Sequence, residues 1–153
     1  MAHTNRGRVV LGGLLAGVVI NVVEFVTNAL VLKQDWGQTL QALGKPAEPS
    51  GGAILTFNIW GFLLGIGAVW LYAAIRPRYG QGVGTAIRAA LAAWALVFFL
   101  PSLSMLPLGI FPTRLIVVPS IMGLIELTIA TIAGAWLYKE DAAQVTPVRS
   151  AAA

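Results

Sequence analysis

Two glutamates stand inside apolar runs that have little other charge. Glu24 lies within residues 9–32 and Glu126 within residues 115–138. A carboxyl group in such a setting can take up and release a proton, exchange it for a cation, or donate a hydrogen bond as a neutral acid. Insertion scales assign about +2.5 to +3.5 kcal/mol to an Asp at mid-helix, against about −0.3 to −0.6 for each Leu, Ile, Val or Phe. The fifteen residues of those four types between Val9 and Leu32 offset one carboxyl group. Leu at position 24 would insert more easily, so the glutamate calls for a structural or functional reason.

Helical spacing gives each glutamate company. Gly13, Gly17, Asn21, Glu24 and Asn28 are separated by 4, 4, 3 and 4 residues, which makes one stripe on a helix. Asn58, Gly61, Gly65, Ala68 and Tyr72 form a second stripe, and Gly123, Glu126, Ala130 and Gly134 a third. Small residues let helices approach closely, so these stripes are the expected contact faces and their polar members face other helices. A rise of 1.5 Å per residue puts Asn21 and Glu126 roughly 16–18 Å from the basic ends of their spans, and Glu24 and Asn58 roughly 22–26 Å. Asn28 and Ser104 lie higher still. Pro101 removes a backbone hydrogen bond beside Ser102 and Ser104, which would add acceptor oxygens near the glutamates. The expectation is an outward-opening polar pocket in which Glu24, Glu126, Asn21, Asn28, Asn58 and Ser104 bind a ligand or protons. In a purely structural role, the same groups would fix helix register by hydrogen bonds.

Other chemistry is poorly supplied. The chain has no cysteine and one histidine, His3, so thiolate chemistry, histidine-held haem and a metal site are not expected. No histidine or cysteine lies in a span to activate a serine, and no catalytic residue is assigned. A net charge of +4 and a pI near 10 could suggest nucleic acid. The basic residues instead sit at the ends of apolar segments, without interleaved aromatics, so no nucleic-acid partner is expected.

The elements that must carry these residues follow from composition. Only 10% of the 153 residues are charged and 58% are hydrophobic. A soluble domain carries about 25% charged residues, so too little polar surface remains to cover a globule in water. Apolar runs at 9–32, 53–75, 86–106 and 115–138 are each long enough to cross a hydrocarbon core of about 30 Å. The predicted fold is all-α: one transmembrane four-helix bundle over 9–138, with tails at 1–8 and 139–153, the latter expected to be disordered. Arg6, Arg8, Arg76, Arg78, Arg88, Lys139 and Arg149 fall on one side; Lys33, Lys45 and Arg114 fall on the other. That excess places both termini in the cytoplasm.

Trp70 and Tyr72 end the second span and Trp136 and Tyr138 the fourth, as headgroup-level anchors would. The likeness of those two ends fits a two-plus-two repeat, or two spans that leave the membrane on the same side. In the long loop at 33–52, Asp35 is expected to cap a short amphipathic helix ended by Gly44. Trp36, Leu40 and Leu43 would share its membrane face.

The Gly12-Gly13-Leu-Leu-Ala-Gly17 run of the first span, Trp36, and the Gly-Ala-Trp of the fourth span carry a resemblance. The chain resembles small bacterial four-span membrane proteins grouped as a domain of unknown function, which implies an inner-membrane location and no particular activity. It is also similar, by analogy, to small multidrug resistance transporters, which have four short helices and a functional glutamate in the first. Glu24 would be the matching residue. The long loop, the deeper acid and the second glutamate depart from that pattern. The expected function is binding or proton-coupled movement of a small cationic or lipophilic solute, without a cofactor. The competing expectation is an accessory or scaffold subunit that docks a second copy or a partner membrane protein through its Gly13/Gly17 and Gly61/Gly65 faces. A lipid-modifying enzyme has least support.

Overall fold

A computed structural model describes residues 5–138. The expected tail at 139–153, with Lys139 and Arg149, lies outside the described residues, as do residues 1–4 with His3. Helix α1 (Arg6–Phe25) starts where the Asn5 side chain accepts from the Arg8 N–H at 3.1 Å. It continues as a π-helical stretch, Val26–Val31. After the short α2 (Lys33–Ala42), Ser50 caps α3 (Gly51–Tyr79) by accepting from the Ala53 N–H at 3.2 Å. Helix α4 (Val83–Trp94) passes through a second π stretch, Ala95–Phe99, into α5 (Leu100–Met105). Helix α6 (Thr113–Leu137) closes the bundle.

Among the described residues there are four helices long and apolar enough to cross a membrane: Arg6–Val31, Gly51–Tyr79, Val83–Leu108 and Thr113–Leu137. They coincide with the expected runs, extended by a few residues wherever a cap or a basic residue continues the helix. Over its described residues the chain is therefore all-helical and compatible with a membrane protein.

Helix α1 packs against α3 and α6, while α4 packs against α6 and α3. Contact is tightest toward the Arg-rich end. A Cβ on Gly65 would stand 2.5 Å from the Gly17 nitrogen and 2.6 Å from the Gly13 carbonyl oxygen. A Cβ on Gly12 would meet the Gly134 carbonyl oxygen at 2.5 Å. The Gly13/Gly17 and Gly61/Gly65 faces, expected as docking surfaces, thus meet each other inside one chain. Ala16, Ile20, Val69, Ala89, Leu127 and Ala130 fill the centre.

Two aromatic anchors behave differently from expectation. Trp70 and Trp136 are exposed, but Tyr72 and Tyr138 are buried and meet edge to face, with centroids 6.0 Å apart. The Tyr72 hydroxyl accepts from the Gly82 N–H at 3.3 Å, which ties down the turn between α3 and α4. At the opposite end the bundle opens. Residues 51–60 of α3 are exposed apart from the half-buried Ala53, and α5 is exposed apart from Ser102.

A short helix, α2, forms in the long loop, and the chain leaves it through Gly44, whose φ of 69° a glycine adopts without strain. Its start is different. Asp35 lies in the first turn and does not cap it; its carboxylate accepts from Arg114 at 2.7 Å. Trp36 faces the bundle and meets Phe111 edge to face at 6.3 Å, whereas Leu43 is exposed.

Candidate functional site: a carboxyl pair between α1 and α6

The two glutamates come together because of helix direction. Helices α1 and α6 run antiparallel and cross closely at Gly12 and Gly134. At 1.5 Å per residue, Glu24 lies about 18 Å beyond that crossing and Glu126 about 12 Å. The Cα–Cβ bond tilts toward the N-terminus of its own helix. On antiparallel helices the two side chains therefore lean toward each other, and their length closes the remaining difference in height. The carboxyl groups are neighbours, near enough to interact directly.

Their surroundings differ. Glu24 is half-buried and its Oε2 accepts from the Asn28 amide, which also donates to the Glu24 carbonyl oxygen at 3.1 Å. The i, i+4 spacing of Glu24 and Asn28 supplies this geometry, with Asn28 inside the π stretch. Asn28 Oδ1 in turn accepts from the Trp36 indole N–H at 2.9 Å. Glu126 is 1% exposed, and neither of its carboxyl oxygens has a hydrogen-bond partner among the described residues. No ion pair to either glutamate occurs there; Arg114 is taken by Asp35 and Lys33 by Glu48 at 3.2 Å. Two adjacent carboxylates repel, whereas one proton between them makes a hydrogen bond and gives Glu126 a partner.

Of the six residues expected at the site, three line up in contact: Asn28, Glu24 and Glu126. Asn21 stays on the α1–α3 contact, donating to the Gly17 carbonyl at 2.8 Å and the Asn58 carbonyl at 3.2 Å. The Asn58 side chain turns back to the Ile54 carbonyl at 2.8 Å and is exposed. Ser104 is exposed and donates to the Pro101 carbonyl at 2.8 Å. Among the described residues no hydrogen bond joins Pro101 or Ser104 to either glutamate. The third span approaches Glu126 through Phe98 instead, whose ring lies 2.7 Å from where a Gly123 Cβ would be.

A depression of about 600 Å³ lies over the far side of α2, lined by Lys33, Asp35, Gln38, Glu48 and Arg114 among others. Neither glutamate lines it. The Trp36 face of α2 folds onto Asn28.

Three further polar groups lie outside the expected six. Trp36 follows Asn28 by eight residues across a π turn and a helix break, a relation that α-helical spacing does not predict. Thr27 and Thr131 bury hydroxyl oxygens without partners. Thr27 lies three residues beyond Glu24 on the same face, and that spacing is a signal the sequence does carry. Among the described residues no group of His, Cys, Asp and Glu could hold a metal ion. No family model, curated protein or solved structure matches the chain.

Proposed function

We propose that the chain is a four-span protein of a bacterial inner membrane, both termini cytoplasmic, in which Glu24 and Glu126 bind and release protons to move a small cationic or lipophilic solute. One observation carries the reading: two carboxyl groups from antiparallel apolar helices meet, one of them buried with both oxygens lacking a hydrogen-bond partner among the described residues. An ionisable pair is costly in that position and marks a pathway or ligand site by default. Asn28 holds the Glu24 carboxylate, and Trp36 closes the side facing α2. Asn21 and Asn58 keep α1 registered on α3, with Ser104 on the rim of the open end.

The test is uptake of candidate cations into liposomes driven by a pH gradient. Wild type should accumulate solute, while Glu24→Gln and Glu126→Gln each lower the rate by about 100-fold, in the range that proton-transfer groups contribute. If wild type and both variants are equally inert across the cations tried, the transport reading fails.

A second reading, an accessory or scaffold subunit, is favoured by a separate observation. Ile54, Leu55, Phe57 and Trp60 of α3 and Leu100 and Leu103 of α5 stand exposed at the open end of the bundle. Co-purification of an intact membrane complex that is lost when these residues are changed to Ala would support that reading.

A further inference from the structure

At the Arg-rich end, a groove of about 400 Å³ runs between α1 and α3, lined by Arg6, Val9, Val10 and Trp70. Positions 6, 9 and 10 share one face of α1 at spacings of 3 and 4, so the guanidinium sits one turn beyond two apolar walls. Trp70 is 58% exposed, and its indole N–H donates to no acceptor among the described residues.

The other arginines at this end are differently placed. Arg76 lies over the Tyr138 ring at 5.5 Å, and Arg78 and Arg88 lie over the Tyr79 ring at 6.0 and 5.1 Å. Arg6 makes no ion pair or ring contact among the described residues. The described acids, Glu24, Asp35, Glu48 and Glu126, all lie away from this end of the bundle. Among the described residues the groove therefore offers an unpaired cation at Arg6 and, one turn further along, an apolar channel in which Trp70 stands level with Val9 and Val10.

We infer that this groove binds one anionic phospholipid, with the phosphate at Arg6 and an acyl chain along Val9, Val10 and the Trp70 ring. The occupant must be an amphiphile, because the walls below Arg6 are apolar. It is anionic, because the charge complementary to Arg6 is negative and, among the described residues, no carboxylate lies at this end. The inference requires only that the helices span a bilayer and is independent of the carboxyl pair.

The experiment is lipid titration of the purified full chain in detergent, read by native mass spectrometry. Phosphatidylglycerol and phosphatidylcholine with the same acyl chains are compared. Wild type should take one phosphatidylglycerol more tightly than phosphatidylcholine. Arg6→Gln should weaken phosphatidylglycerol about five-fold, matching about 1 kcal/mol for one basic residue near a membrane surface, with little change for phosphatidylcholine. Trp70→Leu should weaken both lipids, and Arg8→Gln should leave both unchanged. Equal binding of the two lipids by wild type overturns the inference. So does an Arg8→Gln loss as large as that of Arg6→Gln, since charge alone would then act without the groove.

Discussion

Between Trp36 and Glu126 runs a chain of four side chains in which each member has a different role. The indole N–H occupies Asn28, the Asn28 amide occupies Glu24, and Glu24 faces the otherwise unpartnered Glu126. Trp36→Phe keeps the ring and removes the donor. A net hydrogen bond is worth about 1 kcal/mol, so Glu24 should react about five-fold faster with a hydrophobic carbodiimide, measured by peptide mass spectrometry. An unchanged rate would mean that Trp36 does not restrict access. Much of this chain is legible in the sequence. The 3 and 4 spacing places Glu24 and Asn28 on one face, and the absence of a nearby base marks both acids. Asn58 and Ser104 are not distinguishable by that logic, because an amide or hydroxyl on a helix can equally well bond its own backbone, as both do.

Helices dictate how these side chains meet. Glycine at 65 allows the α1 and α3 backbones to touch, whereas a Cβ on Gly67 of the same helix would have nothing within 4 Å. Gly65→Ala should lower stability by about 1–3 kcal/mol, the cost of overpacking a rigid contact. Gly67→Ala should stay within about 0.5 kcal/mol of wild type. Denaturant titration in detergent checks both, and equal stability of the two variants would show that the backbones can separate cheaply. Span positions are readable because about 20 apolar residues in a row have few other uses. The two π stretches are not, since widening a helix by one residue leaves its composition unchanged. They nonetheless decide which residues near Asn28 and Pro101 face inward.

For the molecule as a whole, the distribution of arginine against acid gives a direction. A phosphatase fused after Leu137 should be inactive and one fused after Pro46 active, if the Arg-rich end faces the cytoplasm. The reverse pattern would invert the proposed orientation and put the Arg6 groove in the outer leaflet. The bundle is firm at that end and loose at the other, a contrast that hydropathy alone does not carry, because lipid-facing and helix-facing apolar residues look alike in sequence. The Gly12–Gly134 crossing then acts as a fulcrum. Helix α1 extends about 18 Å from it to Glu24, so a tilt of about 10° there would swing that residue by about 3 Å. Such travel is enough to bring the carboxyl groups together or pull them apart, with neither helix unwinding and the tight end of the bundle left almost still.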